Sequence, residues 1–201
     1  MAYILNDPAI IGLQLNVLDV YRLSIDIFQQ DFLAVRWATS KDLVDETYTK
    51  YAAKVGSLDC LTYLHKEGCP WDEWTCHSAA YNGHLDCLTY LHENGCSWTE
   101  LTCYWAAMKG HLDCLIYLHE NGCLWDETTC QTTAINGHLD CLIYLHEHHC
   151  PWNKYTCDAA AENGHLDCLI YAIENKCPYG RNICNTSHEH IKLFLLENGI
   201  C

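Results

Sequence analysis

The string from Gly110 to Cys123, "GHLDCLIYLHENGC", places leucines at 112, 115 and 118. At about 100° per residue these leucines share one face, while Asp113 and Glu120 fall on another. The pattern predicts a short amphipathic helix beginning near His111 and ending near Glu120, with Gly122 in a left-handed position just past its end. The following stretch, "WDETTCQTTAING", has a different spacing. Asp126 is a good N-cap, Cys130 and Ala134 mark a narrow seam of small residues, and Gly137 closes the element. It predicts a second kind of short helix, one that packs closely on its neighbours.

This pair of elements repeats. Gly56, Gly83, Gly110, Gly137 and Gly164 are each 27 residues apart. The equivalents of Asp126 are Asp72, Thr99 and Asn153, each directly after a Trp at 71, 98 or 152; Tyr179 stands at the Trp position in the fifth copy. An upstream copy is visible in "VDETYTKYAAKVG" (44–56), which matches "WDEWTCHSAAYNG" (71–83). A final copy, "SHEHIKLFLLENG" (187–199), keeps the second helix, but its first helix is cut short. In the fourth copy His148-His149 replace Asn-Gly, so that helix end is altered. A fixed period of this size predicts a solenoid, whose units bury their apolar faces only against neighbours and whose terminal units deviate. The expected architecture is all-α. Residues 44–201 form a stack of helix-turn-helix repeats with units starting near 44, 71, 98, 125, 152 and 179, and residues 1–43 form an N-terminal helical cap.

The copies differ mainly in the first helix. Trp74, His77, Ser78 and Tyr81 of one unit become Leu101, Tyr104, Trp105 and Met108 in the next. They are Thr128, Gln131, Thr132 and Ile135 in the third, and Tyr155, Asp158, Ala159 and Glu162 in the fourth. These positions span about 100° of the helical wheel, opposite the near-constant Cys76, Ala79 and Ala80. A face drifting in solvent would be mostly polar, yet half of these sixteen residues are Trp, Tyr, Leu, Met or Ile. Contiguous apolar residues of this kind mark an interface, and Trp and Tyr are common anchors. The expected partner-binding residues are Trp74, His77 and Tyr81; Leu101, Tyr104, Trp105 and Met108; Gln131 and Ile135; and Tyr155, Asp158 and Glu162. The competing reading packs this stripe against the N-terminal segment or a second copy of the chain.

Fifteen of the sixteen cysteines fall into three ladders of period 27, starting at Cys60, Cys69 and Cys76, with Cys201 outside them. Each ladder occupies a position that suits a small apolar side chain, so core thiols are expected. Disulfides along a ladder are excluded, because packed helices lie about 8–10 Å apart and bridged Cα atoms need about 7 Å or less. Cross-ladder pairs such as Cys76 with Cys87 remain open. Cys114 and His119 lie about 140° apart on their helix and do not share one ion. No CxxC or HxxxH pair occurs, and "HEHH" (146–149) and "HEH" (188–190) are the nearest approach to a metal-binding run. No metal site, cofactor or catalytic residue is assigned. The Cys, His and Asp residues recur identically in every unit, whereas one active site would break the repeat at one place.

The net charge of -15 sharpens the picture, for residues 67–153 hold twelve Asp or Glu and a single Lys, Lys109. That surface repels phosphate backbones and favours a basic protein partner. No membrane span is present, since no apolar run reaches the length required. The N-terminus, "MAYILNDPAIIGLQLNVLDVYR", lacks a basic start and is interrupted by polar residues, which argues against a signal peptide. The cysteines are accordingly expected as thiols in a reducing, cytoplasmic compartment.

"CHSAAYNGHLDCLTYLHENG" resembles the core of an ankyrin repeat, with its alanine pair, Gly-His turn, second helix and terminal Gly. "WTCHSAA" is similar to that family's Thr-Pro-Leu-His-x-Ala-Ala, with His77 at the histidine. The unit is shorter than the usual repeat of about 33 residues, and the residues lost are those of the β-finger between "ENGC" and "TC". Short joints such as "HENGC" with "PWDE" resemble the arrays of giant DNA viruses and some protists, for which the compartment would be the host cytoplasm. The resemblance implies a non-enzymatic protein-interaction module whose first helix lines the concave surface. Residues 5–24, "LNDPAIIGLQLNVLDVYRLS", faintly resemble a degenerate F-box, which implies docking to the linker subunit of a ubiquitin ligase and a substrate-adaptor role. A third reading is a Cys/His metal-binding protein.

Overall fold

The computed structural model describes residues 46–201, which lie within one of the two units of the chain, Asp45–Cys201. The cap expected at 1–43 and the F-box-like segment 5–24 lie outside the described residues. Helices follow in pairs: α1 (Glu46–Val55) and α2 (Leu58–Lys66), α3 (Glu73–Asn82) and α4 (Leu85–Glu93), α5 (Glu100–Lys109) and α6 (Leu112–Glu120). They continue as α7 (Glu127–Asn136) and α8 (Leu139–Glu147), then α9 (Lys154–Glu162) and α10 (Leu166–Glu174). A short 3-10 helix (Arg181–Asn185) stands where the last unit's first helix would be, followed by α11 (Glu189–Glu197). Among the described residues there is no strand, and only residues 94–99 separate α4 from α5, so the finger is absent. First helices stack on first helices and second helices on second helices along the array.

Each first helix begins where its N-cap directs. The Asp72 carboxylate accepts from the Thr75 amide at 3.2 Å, and the Asn153 side-chain oxygen accepts from the Tyr155 amide at 2.9 Å. These bonds satisfy amides that the first turn leaves without partners. The first helices α3, α5 and α7 end where Gly83, Gly110 and Gly137 turn left-handed, at φ 75°, 74° and 73°, and after α9 the left-handed residue is Gly164, one past the cap Asn163. The chain reverses there within two residues and starts the second helix. At the other end of that helix Gly95 and Gly122 take the same left-handed conformation, and His149 takes it in the fourth unit at φ 62°. The altered helix end therefore keeps the geometry of its neighbours without the residue that suits it.

The core is thin and regular. Leu88 and Leu91, Leu115 and Leu118, and Leu142 and Leu145 are fully buried from the second-helix side. The first helices close on them with Cys76, Ala79 and Ala80, or Cys103, Ala106 and Ala107, all without solvent exposure. Such small residues let first helices approach one another closely, and each buried leucine contributes about 1.5–3 kcal/mol of transfer free energy.

Two further ladders tie units together. His84, His111, His138 and His165 each set Nε2 within 3.1 Å of a backbone carbonyl 30 residues earlier, in the last turn of the preceding first helix. The imidazole lies so close to the preceding unit's glycine that a Cβ on Gly110 would sit 2.4 Å from His138 Nδ1. On the second-helix side, His65, His92, His119 and His146 hydrogen-bond through Nδ1 to Tyr90, Tyr117, Tyr144 and Tyr171 of the next unit at 2.9–3.0 Å. The Trp at each joint packs on the same imidazole, with centroids 3.9–4.1 Å apart at His92–Trp98, His119–Trp125 and His146–Trp152. The repeating tryptophan is thus a clasp between units as well as the residue before an N-cap.

Candidate functional site

Part of the variable face of the first helices reaches solvent, while His77, Thr132 and Ala159 are buried. The second residue of α3, α5 and α9 is exposed: Trp74 is 49% accessible, Leu101 46% and Tyr155 53%. Thr128 continues the row, and Ile135 is exposed near the far end of α7. The row lies directly beside Glu73, Glu100 and Glu127, the first residues of their helices, which are exposed as well; Lys154 breaks the acidic run. Carboxylates suit that position because they complement the positive end of the helix. An apolar stripe and an acidic stripe therefore run side by side across the stacked units.

Behind the exposed row lies an aromatic cluster. Trp105 packs edge-on to Tyr81 at 5.4 Å and to Tyr104 at 5.3 Å, joining α3 to α5. Lys109 places its ammonium 4.7 Å above the Tyr81 ring, and Lys154 lies 5.1 Å above that of Tyr155. Tyr81, Tyr104, Trp105, Met108 and Gln131 are half-buried, while Glu162 is exposed.

His77 does not join the exposed face. It is buried, and its Nε2 meets the Thr99 hydroxyl of the next unit at 3.3 Å, while Nδ1 has no partner. Burial holds its pKa below the ordinary histidine value, against weaker opposing pulls from Glu73 and Asp72. The wheel places His77 at one edge of the variable arc, and at that edge the neighbouring joint covers it. Asp158, at the same position in α9, is half-buried and accepts from the Gly180 amide at 2.9 Å, so it fixes the joint to the last unit. The acidic row of Glu73, Glu100 and Glu127 is absent from the residues expected on sequence grounds, although an acid at the same place in three consecutive units is a readable signal.

The cysteines are core groups, with one correction. Fourteen are buried free thiols, but Cys184 and Cys201 form a disulfide with Cα atoms 5.9 Å apart. Cys201 follows Ile200, which stands at the joint where other units carry their second-ladder cysteine, and this one-residue offset brings it to Cys184. Burial pushes Cys87 and Cys168 up to about 11, and Cys114 and Cys141 up to about 12, with smaller upward contributions from the adjacent aspartates. These thiols are poor nucleophiles and poor metal ligands at neutral pH. Among the described residues no group of three or more His, Cys, Asp or Glu converges on a point that would hold an ion. The "HEHH" run is drawn into packing instead: His146 clasps Trp152 and Tyr171, and His148 lies 4.2 Å from the Tyr144 ring. No described helix is long and apolar enough to cross a membrane.

Comparison with known proteins agrees with this architecture. The family model for ankyrin repeats, in three copies, matches residues 49–129, a stretch spanning three periods of the repeat. No curated protein sequence matches the chain. Among solved structures, the ankyrin repeat domain of human ASB11 superposes with a TM-score of 0.64 over 75% of this chain and 83% of that one, at 19% identity. Ankyrin repeats generally mediate protein–protein interaction and are typically binding modules rather than enzymes. Residues 49–129 thus match the ankyrin-repeat model, and the described part of the chain has the fold of an ankyrin-repeat solenoid.

Proposed function

We propose that the chain is a non-enzymatic interaction module that holds a partner protein on its first-helix face, and that the partner presents a segment carrying Lys or Arg among apolar side chains. The observation that carries this reading is the pairing of two rows: exposed Trp74, Leu101 and Tyr155 beside exposed Glu73, Glu100 and Glu127. Large apolar side chains held in water at a regular spacing are the usual anchors of an interface, and flanking carboxylates select the sign of what docks there. Lys109 over Tyr81 and Lys154 over Tyr155 illustrate that these rings already accept cations. The stacked helices form a fixed frame, so binding requires little ordering of the protein.

Peptide display on the immobilised full chain tests the reading. Selected sequences are expected to be enriched in Lys or Arg interspersed with aliphatic or aromatic residues. Their affinity is expected to fall at least tenfold for the triple variant W74A/L101A/Y155A, whose melting temperature stays within a few degrees of wild type because those side chains are exposed. Selection of acidic sequences, or binding untouched by the triple variant, contradicts the proposal. The F-box-like adaptor reading rests on residues 5–24 alone, and copurification of a ubiquitin-ligase linker subunit that is lost on deletion of 5–24 would support it.

A further inference from the structure

The three cysteine ladders are not equivalent in their surroundings. The second-helix ladder, such as Cys87 and Cys114, is buried and has no other thiol acting on it. The other two ladders meet. In each interior unit the cysteine that follows the second helix is the hydrogen-bonding neighbour that most raises the first-helix thiol: Cys96 for Cys76, Cys123 for Cys103, Cys150 for Cys130 and Cys177 for Cys157. The outer member donates to the carbonyl of its own unit's N-cap residue, at 3.2 Å for Cys96 on Asp72 and 3.3 Å for Cys123 on Thr99. The inner sulfur lies against the backbone carbonyl of the outer residue, at 4.0 Å for Cys130 on Cys150 and 3.7 Å for Cys157 on Cys177.

The last described unit repeats this placement with a different covalent outcome. Cys184 Sγ lies 3.9 Å from the carbonyl of Ile200, which holds the outer-cysteine position, and is bonded to Cys201. The same first-helix sulfur, seated on the same joint, is thus oxidised in one unit and paired as a dithiol in four. The upstream unit supplies a natural control. Thr49 replaces the inner cysteine and donates its hydroxyl to the Pro70 carbonyl at 2.8 Å, leaving Cys69 without a thiol partner in its unit.

We propose that Cys76–Cys96, Cys103–Cys123, Cys130–Cys150 and Cys157–Cys177 are intra-unit dithiol sites that hydrogen peroxide converts to disulfides, joining the first helix of each hairpin to the end of its second. The outer thiolate attacks one peroxide oxygen, becoming a sulfenic acid and releasing hydroxide. The inner sulfur then attacks the sulfenic sulfur, forming the S–S bond, and its proton leaves with the departing hydroxyl as water. Two thiols lose two electrons and two protons, and one peroxide is reduced to two waters. The outer cysteine is the one suited to begin. Accepting a hydrogen bond from its inner neighbour holds Cys96, Cys123 and Cys177 below the ordinary thiol range, whereas the inner members are pushed above it. A disulfide also fits this site better than a metal dithiolate: the pocket is buried, the product is neutral, and two ligands fall short of the four a structural zinc needs.

The test uses the full chain, reduced with a phosphine and freed of reductant, then exposed to hydrogen peroxide under native conditions. Remaining thiols are alkylated in denaturant, and linked peptides are identified by mass spectrometry. The expected result is four intra-unit links beside Cys184–Cys201, a mass loss of about 2 Da per pair, with Cys60, Cys69, Cys87, Cys114, Cys141 and Cys168 still alkylated. C103T, which copies Thr49, is expected to fold, to leave Cys123 alkylated and to close the other three pairs. Links between units, closure of Cys76 with Cys87, or four pairs still fully alkylated once Cys184–Cys201 has re-formed would each overturn the proposal.

Discussion

At the residue scale, function and stability depend on a few positions where backbone and side chain are both constrained. Gly110 is left-handed and has the His138 imidazole against its Cα, while Gly122 is equally left-handed but has nothing within 4 Å. G122A is therefore expected to cost about 1 kcal/mol, the conformational penalty alone. G110A is expected to cost clearly more, because His138 must also leave the Met108 carbonyl; urea unfolding of the two variants measures the difference. The buried His77 and the half-buried His111 and His119 set a pH dependence. Burial lowers the pKa of His77, His111 and His119 in the folded chain. The unfolded chain then binds more protons than the folded one near the ordinary histidine value of about 6.5. Stability is expected to be full above that pH and to decline as the pH falls from about 7 to about 5. A urea midpoint that rises over that interval would contradict this assignment. His77 also marks where wheel reasoning reached its limit. Angle alone places it with the variable residues, and only the position of Thr99 in the next unit shows that it is enclosed.

At the element scale, the 27-residue unit is a hairpin whose two turns are both left-handed, and the interior helix boundaries were readable because N-cap and glycine recur in register. The fourth and fifth units keep the second turn with His149 and Lys176, each at φ 62°. H149G is expected to raise stability by about 0.5–1 kcal/mol by removing strain that glycine does not carry; an unchanged or lower urea midpoint would count against that reading of the cap. The clasp between units was legible in principle and was missed. Its His, Trp and Tyr come from two units, and all three vanish together at the last copy, where Ile173, Tyr179 and Phe194 stand in their places. Y144F is expected to cost about 1 kcal/mol, the net worth of one hydrogen bond, with His119 left in place to stack on Trp125. The Cys184–Cys201 bridge was hidden for a different reason. It depends on a one-residue offset after Ile200 in a copy that has lost its regular first helix, and period counting carries no information there.

At the scale of the whole molecule, each described unit packs chiefly on its neighbours, so the array offers one long, stiff face. The stripe that distinguishes this face is apolar in its centre and acidic at its edge, which is why composition, variation between copies and exposure lead to one reading of the site. Among the described residues, the second-helix side carries the clasps and presents the exposed carboxylates Asp86, Asp113, Asp140 and Asp167, and its large exposed apolar side chains are confined to Leu193 and Leu196 of α11. The two faces therefore make opposite predictions about where a partner sits. Hydrogen–deuterium exchange of the full chain, with and without a basic peptide obtained by display, separates them most directly. The account predicts that bound peptide slows exchange in the N-terminal halves of α3, α5 and α9 and leaves α4, α6 and α8 unchanged; slowing confined to α4, α6 and α8 would contradict it.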